Sequence, residues 1–446
     1  MLLINNKTSY FKEIMNKKLI RITVLIFVFC GFTAKAQHTA KAKKPFTKDI
    51  ARIIKKKSVQ FAMHTIDSLD EETIRNMIVL NEISAPPFKE HKRAKKFAEM
   101  FSKTGIDSVW IDTEGNVLAL RKGKKRDKTV VLDAHMDTVF PEETDVKVKK
   151  EGKTYAAPGI GDNTRGMAML LAVLNGMDMA SIETDADVVF VGTVGEEGLG
   201  DLRGVKHLFS ETSDIKIDSW ISIDGGGNGR IINGGLGSKR YKVIFKGPGG
   251  HSWGAFGLAN PHHALGKAIS IFVEEASKYT DIEGPKTSFN IGRIGGGTSV
   301  NSIPFESWME VDMRSVSPKR LLEIDSILKT SMKKAESVYN ASAIKDKVIL
   351  EIKPIGDRPS GILAENIPLV QRAIAVASYF NISPVLITGS TNSNIPISKN
   401  IPAITIGRGG IGKGAHSLNE TWSNIDGAKN IKMALIITLA EAGIAD

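Results

Sequence analysis

Val130-Val-Leu-Asp-Ala-His135-Met-Asp137-Thr138 opens on apolar residues and closes on an imidazole, with a carboxylate two positions later. A short apolar run rich in β-branched residues reads as a strand buried on both faces, as in a parallel sheet. In open α/β sheets, sites form outside the carboxyl ends of the strands, so the tip at His135 is where chemistry is expected. Residues two apart lie on one side of an extended chain, so His135 and Asp137 can act together. Metal centres use such a pair: the imidazole binds the ion and a nearby carboxylate fixes its ring. By itself the pair also fits an ordinary loop, so the remaining ligands have to come from elsewhere in the chain.

Around this strand the pattern alternates. Helical periodicity covers Glu71 to Leu80, His91 to Lys103 and the apolar Thr164 to Met177. Val109 to Asp112 and Asn116 to Arg121 read as a hairpin, and Asp187 to Val194 and Trp220 to Ile223 as buried strands. After Gly234-Gly235 the order becomes strand, helix, strand, strand, helix, strand, from Arg240 to Lys353. That is the ferredoxin-like split unit, read as a small domain inserted into the first. A helix from Ile367 to Tyr379, a strand from Ala403 to Ile406 and a helix from Ala428 to Ala442 resume the first pattern. The expectation is an α/β fold: a mainly parallel sheet core carrying an inserted βαββαβ domain. Its boundaries fall at 61–237 for the first part of the core, 238–353 for the insert and 354–446 for the second part.

At 446 residues the chain is too long for one compact core. Its net charge of +11 suggests an anionic partner until it is located. Residues 1–60 hold fourteen Lys or Arg and two acidic residues, which leaves the remainder at −1. A near-neutral body gives little support to nucleic-acid binding. Lys17, Lys18 and Arg21, then Ile22 to Phe29, then Ala34-Lys35-Ala36 follow the order of an export signal over 1–36. Cleavage before Gln37 would release an exported protein, periplasmic or extracellular, with no remaining membrane span. Residues 37–60 then read as a basic tether or a frayed helix. The only cysteine, Cys30, would leave with the signal, so a metal would have to be held by His and carboxylates.

Such residues recur at strand ends. Asp162 lies in Gly159-Ile-Gly-Asp-Asn163 before the apolar helix, Glu196 and Glu197 end the strand from Val188, and Asp224 ends Ile221-Ser-Ile223. His416 follows Ile404-Thr-Ile-Gly-Arg-Gly-Gly410 in a glycine-rich loop. Singly, each also fits a cap, a turn or a solvated loop. Jointly they suit a site with two Zn²⁺ ions about 3.5–4 Å apart, in which one carboxylate bridges and another stays off the metal to accept a proton. A tandem Glu-Glu divides that labour, because adjacent side chains diverge.

The motifs His135-Met-Asp-Thr138, Gly161-Asp-Asn163, Gly195-Glu-Glu-Gly198 and Ala415-His-Ser417 resemble those of the co-catalytic zinc aminoacylases and exopeptidases. Peptidase T, carboxypeptidase G and succinyl-diaminopimelate desuccinylase belong to that family. The resemblance runs from about Leu69 to the C-terminus. It implies that His135 and Asp224 bind one zinc, that Glu197 and His416 bind the other, and that Asp162 bridges them ahead of a cis peptide. It also implies that Asp137 orients His135 and that Glu196 is the general base. Co²⁺ or Mn²⁺ would accept the same ligands. In the insert, Gly247-Pro-Gly-Gly-His251-Ser252 resembles the loop whose His reaches the neighbouring subunit's site, which implies a homodimer. Asn301 and Arg314 match positions that hold a substrate carbonyl or carboxylate. Where relatives often carry Ser-Thr-Asp, this chain has Ser390-Thr-Asn392, which puts a role there in binding a substrate amine in doubt. The implied activity is hydrolysis of short peptides, with N-acyl amino acid deacylation on the same metal centre as the alternative. A non-catalytic binding protein on this fold is a third reading.

Overall fold

The computed structural model describes residues 39–445. The expected export signal over 1–36 lies outside these residues. Among the described residues, no helix is long and apolar enough to cross a membrane.

The strand Thr129–His135 runs parallel to Asp187–Thr193 on one side and Ser219–Ile223 on the other. Ala403–Ile406 continues the sheet in parallel beyond Ser219–Ile223. Outside these lie the antiparallel hairpin strands Ser108–Ile111 and Val117–Arg121, and at the other end Arg230–Gly235. All seven residues of Asp187–Thr193 and all five of Ser219–Ile223 are buried, because helices cover both faces. Val130, Leu132 and Ala134 face one cluster with the helices Thr164–Met179, Pro368–Tyr379 and Gly427–Ala442. Val131, Val189 and Val191 face the opposite one, with Leu202, Val205 and Trp220.

The helix Thr164–Met179 begins against the strand tips. Asn163 caps it by accepting from the Gly166 amide at 3.2 Å, and the Asn163 side-chain amide donates to the Ile223 carbonyl at 2.7 Å. A Cβ at Gly166 would fall 2.3 Å from the Asn163 side-chain oxygen and 3.0 Å from that carbonyl, so only glycine allows the approach.

The small domain has the expected split order. Its antiparallel sheet runs Thr287–Gly296, Glu306–Ser315, Gly237–Lys246, Ile349–Arg358. The helices Pro261–Thr280 and Pro318–Ser342 cover one face and share a separate core that includes Val243, Phe245, Phe272, Met309, Val311 and Leu328. Its last strand outruns the sequence reading, which stopped at Lys353. The ladder shifts register at Pro354–Gly356, where proline lacks a donor, and then pairs on to Arg358. The sequence reading also passed over Val385–Gly389, which pairs in parallel with Arg230–Gly235.

Of the two readings of residues 37–60, a basic tether or a frayed helix, the tether is corrected from Lys44 onward. Residues Lys44–Lys55 and Lys57–Ser68 form helices, and Ile50, Ile53, Ile54 and Val59 are buried in the main cluster. Lysines crowd the outer face while isoleucines at spacings of three and four form an inner stripe, so composition conceals an amphipathic helix. The Lys43 amide donates to Gln371 at 2.7 Å and the Ala40 amide to the Pro384 carbonyl at 2.9 Å. Replacing Ile50, which is 1% exposed, with alanine is expected to destabilise the protein by roughly 2–5 kcal/mol. A denaturant midpoint equal to that of the unaltered protein would mean that this helix is not integral to the fold.

Candidate metal centre and active site

His135 sits at the tip of its strand, 2% exposed. Its Nε2 lies 3.1 Å from Asp162 Oδ1 and 3.9 Å from Asp224 Oδ1. On the far side, His416 Nε2 lies 3.0 Å from Glu197 Oε1 and 3.3 Å from Asp162 Oδ2. Asp162 thus presents one oxygen to each half of the site. The structure brings together all five residues singled out as ligands, with Glu196 and Asp137 beside them. The peptide bond Asp162–Asn163 is cis.

Neighbours that are not themselves ligands fix the loops. The Asp137 carboxylate accepts from the amides of Glu196 at 2.9 Å and Glu197 at 2.7 Å, which pins the tandem pair. His135 Nδ1 donates to the Asp137 backbone carbonyl at 3.0 Å, with the nearer carboxylate oxygen at 3.6 Å. The Asp137 carbonyl lies nearest the ring, and the carboxylate, which also faces the ring, binds the amides of the next loop. Glu420 accepts from the amides of Gly159, Gly161 and Asp162 at 2.8–2.9 Å. Buried Arg93 donates to the Met136 carbonyl at 2.6 Å. His416 reaches its place with φ at +64°, a backbone that non-glycine residues rarely adopt.

Two arginines complete the site, and neither figured in the sequence reading. Arg408 lies 2.8 Å from Asp162 Oδ1 and donates to the Gly225 carbonyl at 3.1 Å. Arg358 lies 3.0 Å from Glu196 Oε1. Arg408 stands two residues beyond the strand Ala403–Ile406, so the strand-end rule that found Asp224 could have found it.

The charges are unevenly matched. Burial alone would depress His135, yet Asp137, Asp162 and the charge of Asp224 outweigh it and raise the imidazole well above its ordinary value. Contacts with Asp162 and Glu197 push His416 up to about 10. Burial and the neighbouring Asp162 push Asp224 up. Burial alone would raise Asp162 too, but Arg408 and the two imidazoles hold it well below the usual range. Burial pushes Glu196 up to about 8; Arg358 pulls the other way, and Glu197 adds to the rise. Carboxylates that gain protons beside imidazoles that retain them describe a pocket short of positive charge. His135, Asp162 and Glu197 each offer an atom within 4.8 Å of the others, so the donor set fits a divalent cation.

The contacts of the insert residues His251, Asn301 and Arg314 lie within the insert. His251 is exposed, and its Nδ1 accepts from the amides of Trp253 and Gly254 at 3.2 Å. Asn301 is zipped beside it, because Gly250–His251 pairs with Ser302–Ile303 and the Ser252 amide donates to the Asn301 carbonyl at 2.9 Å. Arg314 is ion-paired to Asp312 at 2.7 Å. Asn392 lies beneath the site, 3% exposed, and donates to Asp133 and Thr193, both at 2.7 Å.

The sequence pattern of peptidase family M20/M25/M40 matches residues 131–436. The chain belongs to this family. M20 enzymes are metal-dependent hydrolases of peptide or amide bonds, and the His, Asp and Glu cluster of this chain could hold such a metal. A protein of Pyrococcus furiosus provisionally named a LysW-lysine/LysW-ornithine hydrolase is 35% identical over 138 residues. That match covers 31% of this chain and 38% of the relative's own length. The uncharacterised protein YqjE of Bacillus subtilis is 27% identical over 267 residues, 56% of this chain and 68% of the relative. Among solved structures, the Bacillus cereus aminopeptidase PepT superposes with a TM-score of 0.64 at 18% identity, covering 83% of this chain and 98% of that one. The Saccharomyces cerevisiae dipeptidase Dug1p gives 0.67 at 16%, covering 86% and 99%. Both M20 structures share the fold.

Asp162→Ala should weaken divalent-metal binding by more than the roughly 10–100-fold that the loss of an outer-shell partner costs. Calorimetric titration of the metal-free protein reads this directly. An unchanged affinity would remove Asp162 from the centre.

Proposed function

We propose that the chain is an exported zinc-dependent exopeptidase acting on short peptides, with Glu196 as the general base. The divergence of the tandem pair carries the reading: one carboxylate anchors both backbone amides, Glu197 turns to His416, and Glu196 turns away to Arg358. His135 and Asp224 would hold one ion, Glu197 and His416 the other, and Asp162 would bridge. Two divalent ions there would polarise the scissile carbonyl and supply the attacking water in acidified form. Glu196 takes a proton from that water and returns it to the leaving amine. Arg408 keeps Asp162 ionised and fixed. Burial of Glu196 and Glu197 keeps competing solvent from them.

Export is supported by the basic, apolar and small-residue order of residues 17–36. A homodimer through the small domain is supported by the apolar side chains exposed around His251: Trp253 at 88%, Phe256 at 79% and Val300 at 103%. In that dimer His251 would reach the partner's site and stabilise the developing oxyanion, with Asn301 beside it. Arg314 would take a substrate carboxylate in exchange for Asp312. The match to a protein named as a hydrolase of LysW-lysine or LysW-ornithine favours an N-acyl amino acid or related amide as the alternative substrate.

Glu196→Gln should lower kcat by about 10²–10⁴-fold with its metal content retained. Wild-type turnover in that variant would refute the mechanism. A panel of dipeptides, tripeptides and N-acyl amino acids decides the substrate: cleavage of the acyl compounds alone would replace the peptidase reading. Light scattering should give a dimer, and His251→Ala should lose activity without losing metal. A fully active monomer would rule out the role of His251 in trans.

A further inference from the structure

The chain crosses between the catalytic sheet and the small domain twice, at Leu236 and around Pro359. Arg358 is the last residue of the small domain's final strand, paired with Ser238 at the first crossing. It is 5% exposed. Its Nη1 donates to Glu196 Oε1 at 3.0 Å and to Ser390 Oγ at 3.0 Å, and its Nη2 donates to the Glu196 backbone carbonyl. One residue thus grips both ends of Glu196.

A second tie lies alongside. The Asp357 amide donates to both carboxylate oxygens of Asp201, at 3.0 and 2.9 Å. Asp201 follows the short turn Gly198–Gly200 that leaves the Glu196–Glu197 pair, and it holds a left-handed backbone with φ at +50°. The end of the hinge strand is therefore stitched to the base-bearing loop at two points. Arg358 Nε is buried without a hydrogen-bond partner. Its Nη1 and Nη2 groups are directed at Glu196 and Ser390.

We propose that Arg358 is a positioning residue for Glu196: it ties the general base to the hinge of the small domain and, by occupying Oε1, reserves Oε2 as the oxygen that takes the proton. This rests on the assignment of Glu196 as base. The stance of the small domain and the aim of the base are then one variable. A substrate that draws the small domain inward sets Glu196 in the same motion, so binding and alignment are coupled without a separate lid.

The test uses the full metal-loaded protein and the best substrate from the panel. Arg358→Met should lower kcat about a hundredfold, the scale of a small misplacement of a reacting group, with KM within threefold and metal content unchanged. Arg358→Lys keeps the charge and reaches one acceptor, so it should recover about tenfold of that loss. In a Glu196→Gln background, Arg358→Met should cost nothing further. Wild-type kcat in Arg358→Met, or a change confined to KM, overturns the proposal while Glu196→Gln remains inactive. Full activity of Glu196→Gln overturns the base assignment itself, and the proposal with it. If Arg358→Met does not fold, Arg358→Lys decides, and an undiminished kcat there overturns the proposal.

Discussion

Asp162 has to serve two sides at once, and the rest of the site is arranged around that demand. One oxygen meets His135 and Arg408, the other His416. With Glu197 and Asp224 close by, several carboxylates share one dry corner of the protein, an arrangement that is unfavourable unless cations oppose it. Arg408 is the permanent cation and the two imidazoles are the adjustable ones. The rise of Asp224 and the rise of His416 express one deficit from opposite sides. A bound divalent ion would fill it, and would reverse the direction in which Asp224 and His416 are pushed.

A site under such repulsion needs a stiff frame. The parallel strands supply it, because each is buried on both faces and ends at the same edge. The loops beyond the strand tips have no ladder of their own. Asp137, Glu420 and Arg93 replace it by binding main-chain groups: two amides, three amides and three carbonyls. The proposed ligands are thus set by residues that never need to touch an ion, which is how a preorganised centre is supported.

What the sequence made legible follows from periodicity. A strand buried on both faces is an unbroken apolar run, so His135, Glu196 and Asp224 stood out as the polar residues that end such runs. The inserted domain was legible for the same reason, since its strands alternate and its helices are long. Three things were hidden. The lysines of residues 44–57 masked an inner stripe of isoleucines. Pro354 looked like a strand end, although a register shift carries the pairing past it to Arg358. Arg358 and Arg408 act through partners 162 and about 250 positions away, and no local pattern encodes such pairings. The division of Asp137 between its carbonyl and its carboxylate was equally invisible, because both groups belong to one residue.

The departure at Asn392 has its reason inside the sheet. Its amide donates to the Asp133 carboxylate, whose other oxygen is taken by Ser222. Burial already pushes Asp133 up to about 7, so that carboxylate is only marginally ionised where it stands. An aspartate at 392 would set a second carboxylate within hydrogen-bond reach of the first, and two like charges so close in a dry interior cannot both ionise. One member of the pair has to be a donor. Here the strand residue keeps the carboxylate and the loop residue becomes the amide. The amide is an imperfect answer, because its own oxygen is buried without a partner. That leftover acceptor is buried, and the amide nitrogen is taken by Asp133 and Thr193, so the contacts of position 392 are with the strands beneath His135.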